Sequence, residues 1–105
     1  MFLAMNRFRV VPEHSAAFEE IWRSRDSHLR ETPGFVEFNL LRGPARDDHV
    51  LYSSHTVWSS YADFEAWTRS DAFRAAHRGA GANRDMYLGP PEFEGFESVQ
   101  RLAME

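Results

Sequence analysis

FVEFNLLRGPARDDHVLYSSHTVW, residues 35–58, decides the fold. Phe35–Arg42 and His49–Trp58 are runs rich in apolar and β-branched residues, the usual content of strands. Between them stands Gly43-Pro44-Ala45-Arg46-Asp47-Asp48, a charged, turn-rich loop. So short a connection makes the pair an antiparallel hairpin. Working outward on the N-terminal side, Phe18, Ile21, Trp22, Arg25 and Leu29 follow helical spacing, so roughly 13–30 reads as an amphipathic helix. Pro12 suits its start, and Thr32-Pro33-Gly34 ends it. Before it, Phe2 to Val10 alternates: Phe2, Ala4, Asn6, Phe8 and Val10 face one way, Leu3, Met5, Arg7 and Arg9 the other.

On the C-terminal side, Ser59 or Ser60 caps a helix carrying Phe64 and Trp67. Ser70 with Asp71 caps another segment, carrying Phe73, Ala76 and His77. Gly79 to Pro91 reads as a loop. Glu92 to Leu102 reads as a last strand, with Gly95 a bulge or a close approach. The order β-α-β-β-α-β is the ferredoxin-like α+β plan, one domain over residues 1–105. Two helices cover one face of such a sheet. The other face also carries apolar residues, so a homodimer with facing sheets, a dimeric α/β barrel, is expected.

The composition narrows the chemistry. Nine Phe, three Trp and three Tyr are more flat surface than a small core needs, which points to a pocket or an interface. A net charge of -4 with no basic run argues against a nucleic-acid partner. The absence of Cys excludes disulfides, thiolate metal sites and cysteine nucleophiles. No apolar stretch has the length of a membrane span or the layout of a signal peptide, so no membrane partner and a cytoplasmic location are expected. There is no H-x-x-x-H pattern, no G-x-S-x-G, and Gly79-Ala80-Gly81 lacks the third Gly and the preceding strand of a dinucleotide loop.

Three residues stand out. Asn6 is a carboxamide on an apolar strand face, costly to bury unless its hydrogen bonds are made. Trp67 and His77 sit ten positions apart on apolar helical stretches. Each has an ordinary reading: Asn6 pairs with backbone, His77 is a hydrogen-bonded core residue, and Trp67 is packing. Facing one pocket, they offer a donor, a metal ligand and a flat wall, which suits a large aromatic ligand carrying a metal.

The segments AMNRF (4–8), TPGF (32–35), SHTVW (54–58), FEAWTRSDAFRAAHRGAG (64–81) and FEGFE (93–97) resemble the antibiotic biosynthesis monooxygenase domain. Within it they resemble the haem-degrading monooxygenases of the IsdG type. The resemblance covers nearly the whole chain. It implies a dimeric barrel of ferredoxin-like subunits with one haem per subunit, haem being both substrate and cofactor. It places the axial metal ligand on His77, the distal donor on Asn6 and the haem-distorting indole on Trp67. It puts Trp22 and Arg25 on the helix roofing the distal side, and Phe64 and Phe73 beside the haem. Trp22 stands where the mycobacterial relative carries a Phe, so the position of ring opening is not carried over. The implied reaction consumes O2 and electrons from an external donor, a reductase, because no flavin or nicotinamide motif is present. Two other readings compete: a haem-binding or haem-delivery module without turnover, and a metal-free oxygenase acting on an aromatic or quinol substrate.

Overall fold

The computed structural model describes residues 1–25, 28–76 and 84–104. Four strands form one antiparallel sheet: β1 (Phe2–Val10), β2 (Phe35–Ala45), β3 (Val50–Trp58) and β4 (Glu92–Glu97), in the order β2-β3-β1-β4. Helices α1 (Ser15–Ser24), α2 (Tyr61–Thr68) and α3 (Asp71–Ala76) complete the chain order βαββαβ, with the second helical stretch broken in two. This is the ferredoxin-like plan expected from the hairpin.

The differences lie at element ends, and each has a cause. The helix expected over 13–30 is shorter. A 3-10 turn, Pro12–His14, precedes α1, Arg25 is already extended, and a second 3-10 turn spans Leu29–Glu31. After Trp22 no apolar residue follows until Leu29, so no apolar side chain extends the buried face of the helix past Trp22. The Ser24 hydroxyl bonds back to the Glu20 carbonyl at 2.8 Å. β2 runs three residues past Arg42, with a register irregularity between Arg42 and Ala45 that absorbs Gly43 and Pro44. β4 stops at Glu97 instead of Leu102 because its partner runs out: Phe2 pairs with Glu97 at the start of β1. Val99 and Leu102 are then left exposed. Within the expected 79–91 loop, the described part holds a 3-10 turn at Arg84–Met86 and a bridge between Val10 and Tyr87.

Gly95 is a close approach and not a bulge. The β1–β4 register is unbroken there, and a Cβ on Gly95 would lie 2.7 Å from the Phe2 ring. Gly34 sits at φ 83, where a Cβ would strike Asp63. It thereby seats the start of β2 under α2. Ser60 caps α2, accepting from the Asp63 amide at 3.2 Å, and Ser70 accepts from the Phe73 amide at 3.1 Å.

The alternation of β1 holds. The even face carries two separate apolar clusters. One is Phe2, Ala4, Trp58 and Trp67; the other is Val10, Phe18 and Tyr52, joined by Phe8 and Trp22. Asn6 lies on β1 between Ala4 and Phe8, at the gap between the two clusters. On the odd face, Leu41 and Phe96 are 43% and 46% exposed, and Arg7 pairs with Glu94 at 2.6 Å. No helix of the described residues is long and apolar enough to cross a membrane.

Candidate functional site

The gap in the core is a cleft of about 1470 Å³ between sheet and helices. That exceeds the roughly 300–1,000 Å³ typical of sites for drug-sized ligands. Asn6, Trp22, Arg25, Phe64, Trp67 and Phe73 all line it. Six of the seven residues singled out from the sequence therefore converge on one space. The seventh, His77, lies outside the described residues.

The β1–β3 ladder sets the floor. It places Asn6 opposite Ser54 and Ala4 opposite Thr56, all four lining the cleft. The Asn6 side chain makes no hydrogen bond to any described residue. Among the described residues, the backbone pairing of the ordinary reading does not occur. Trp67 is 7% exposed and packs on Trp58, with centroids 6.0 Å apart, and edge-on to Phe73 at 5.6 Å. It is a core residue and a cleft wall at once. Phe64 stacks on Phe93 at 5.8 Å and 11°, forming a second flat wall.

Opposite them α1 supplies the roof. Trp22 stacks on Phe38 at 5.6 Å and 14°, and the Arg25 guanidinium lies 4.3 Å from the Trp22 ring centroid. Partial burial lowers the Arg25 pKa from its ordinary value, but an arginine remains a cation at neutral pH. No carboxylate pairs with Arg25 among the described residues. Arg30, also on the lining, has none either. Aromatic walls, a polar floor and cations with no carboxylate partner among the described residues suit a large flat ligand bearing acidic groups.

Ser54, Thr56, Phe38, Tyr87 and Phe93 line the cleft and were not singled out from the sequence. Ser54 and Thr56 follow from the register alone, since they share a face with Trp58 on β3. Tyr87 had no signal, because its place depends on the bridge to Val10. A smaller cavity of about 230 Å³ lies beyond Trp22, lined by Glu19, Arg42 and Tyr52 among others.

The comparisons fit this geometry. The family model described as antibiotic biosynthesis monooxygenase matches residues 1–79. A "Heme-degrading monooxygenase" of Shouchella clausii is 56% identical over 56 residues, covering 53% of this chain and 52% of that protein. The protein of the same name from Bacillus thuringiensis is 36% identical over 56 residues, with the same coverage. The chain thus spans about half the length of the curated relatives it matches. Among solved structures, a mutant of MhuD with two manganese protoporphyrin IX bound per active site is 27% identical with a TM-score of 0.78, covering 99% of this chain and 100% of that one. MhuD is the heme-degrader of Mycobacterium tuberculosis. SnoaB, a cofactor-independent oxygenase from Streptomyces nogalater, is 28% identical with a TM-score of 0.69, covering 98% and 97%. With three quarters of its length matched by the family model and its fold shared along the whole chain, this chain belongs to the antibiotic biosynthesis monooxygenase family.

Proposed function

We propose that the chain is a haem-degrading monooxygenase. It would open the haem ring with O2 and electrons from an external reductase, releasing iron and a linear tetrapyrrole. The observation that carries this reading is the convergence of Asn6, Trp22, Arg25, Phe64, Trp67 and Phe73 on one large cleft. The likeness to the heme-degrading relatives and to MhuD supports it.

Haem is the substrate and supplies the iron chemistry itself. The protein's part is to hold and shape it. Trp67 and Phe64 would press the macrocycle between flat walls, and distortion of the ring is one lever a protein has on haem. Phe73 braces Trp67 edge-on. Trp22 and Arg25 would close the other side, with the guanidinium facing a propionate. Asn6, whose carboxamide has no partner among the described residues, would donate at the reacting face. His77 would hold the iron, on the strength of the sequence match. A second copy of the chain would cover the apolar odd face of the sheet, making the functional unit a homodimer.

The test is incubation with hemin, ascorbate and catalase in air. A Soret band should appear on adding hemin and decay with release of iron. A stable band under reductant would leave a haem-binding or delivery module. No band would favour the metal-free oxygenase reading, which the full-length likeness to SnoaB supports.

A further inference from the structure

Asn6 and Ser54 are direct partners across the β1–β3 ladder, so their side chains share a face. Directly opposed Cβ atoms lie about 4.5–5.5 Å apart. Both residues line the cleft. Ser54 is 5% exposed, yet its hydroxyl bonds to no described residue, and neither does the Asn6 carboxamide. Buried polar groups in folded proteins are as a rule hydrogen-bonded. Ser54 is buried and Asn6 half-buried; both border the cleft, and neither side chain has a partner among the described residues, so both are open to something that enters it. Ala4, beside Asn6 on the same face, leaves the space above them open.

We infer that Ser54 is a second polar contact for the bound ligand. Its hydroxyl and the Asn6 carboxamide together hold one small molecule, a water or the dioxygen of the reaction, against the face of the flat ligand. The hydroxyl gives one donor and two acceptor positions, and the carboxamide gives two donors. A small molecule between them gains the two or more partners that a buried water needs. The identity of the flat ligand as haem rests on the function proposed above; the pairing of Ser54 with Asn6 does not.

Two measurements decide it. The first is thermal unfolding of Ser54→Ala without hemin. A hydroxyl with no partner in the fold is lost without cost, so Ser54→Ala should unfold at or above the wild-type temperature. A clear drop means that the hydroxyl is bonded within the fold, and the inference fails. The second is the C–O stretch of the reduced hemin complex under carbon monoxide, read by infrared spectroscopy. Donors near bound carbon monoxide lower this frequency. Ser54→Ala should shift it to higher wavenumber, as should Asn6→Ala, while Ser54→Thr, which keeps the hydroxyl, should stay near wild type. A frequency unchanged by Ser54→Ala but moved by Asn6→Ala overturns the inference and leaves the haem reading intact. If wild type gives no Soret band, the haem reading falls instead. The unfolding comparison then still decides whether Ser54 belongs to the cleft or to the fold.

Discussion

The Tyr52 hydroxyl donates to the Glu19 carboxylate at 2.5 Å and ties α1 to β3. Arg42, the cross-strand partner of Tyr52, forks onto the same carboxylate from β2 at 3.0 and 3.1 Å. Phe18 is the one fully buried residue of α1, and its apolar contacts are non-directional. Glu19 therefore supplies the directional tie that sets the rotation of the helix, and with it the stacking of Trp22 on Phe38 three residues on. Glu19→Ala should lower the unfolding temperature more than Glu20→Ala, whose side chain is 69% exposed. Equal effects in scanning calorimetry would show that the fork is not a structural tie.

The same carboxylate sets a pH dependence. The Tyr52 bond first, then Arg42 and Arg23, lower the Glu19 pKa from its ordinary value of 4.5. A group lowered on folding contributes stability that is complete above its unfolded pKa and is lost as pH falls through the folded one. The unfolding-temperature gap between wild type and Glu19→Gln should thus be constant from pH 6 to 8, as an order-of-magnitude window about neutrality. It should close as pH drops below 4.5. A gap that widens in acid would contradict the charge-assisted origin of the tie.

Legibility in the sequence followed the range of the interactions. The hairpin, the alternation of β1 and the caps at Ser60 and Ser70 are local, and all of them are in the structure. The end of β4 at Glu97 was not legible, because it is fixed by where β1 begins, ninety-odd residues earlier. Asn6, Trp67 and Trp22 showed as polar or bulky residues on patterned faces. Ser54 did not, because a serine on a strand is unremarkable until the register sets it opposite Asn6. The resemblance proposed roles that pattern alone left open, such as Arg25 at the roof, where the structure shows it lining the cleft.

The odd face of the sheet predicts assembly. Leu41 and Phe96 are exposed there, on outer strands β2 and β4, and no helix covers them. Sedimentation should report about twice the chain's 12.2 kDa at micromolar concentration. Phe96→Glu should shift the mass toward the monomer. A wild-type monomer at that concentration would remove the facing-sheet arrangement.

Trp67 packs the core and lines the cleft, and under the proposed function it also shapes the haem, so its truncation should have two effects. It is 7% exposed and packed on Trp58, and removing a large aromatic from a core costs about 3–5 kcal/mol. That is a large part of the roughly 5–15 kcal/mol that holds a domain folded. Trp67→Ala should therefore lose soluble, folded protein before any loss of chemistry is measured. Trp67→Phe keeps a flat wall and is the variant that reports on haem distortion. It should bind hemin, alter the paramagnetic shifts of the complex and slow ring opening. Wild-type decay of the Soret band in a folded Trp67→Phe protein would mean that the indole is packing alone.

Asn6→Ala separates donation from packing, because the carboxamide has no partner among the described residues to lose. The fold should tolerate it: Asn6 faces the cleft and makes no hydrogen bond to a described residue, so unfolding temperature should hold. Hemin affinity should change little, since walls and roof are untouched. Turnover should fall. Loss of a donor at a developing charge costs about 2.7–4 kcal/mol in other enzymes, roughly 100- to 1000-fold in rate. His77→Ala should act the other way round, weakening or shifting the Soret band itself before any turnover is attempted. Single-turnover decay, with the reductant in excess, keeps electron supply from masking either effect. An Asn6→Ala protein that binds hemin and degrades it at the wild-type rate would take the carboxamide out of the chemistry. A His77→Ala protein with an unchanged spectrum would move the metal ligand elsewhere.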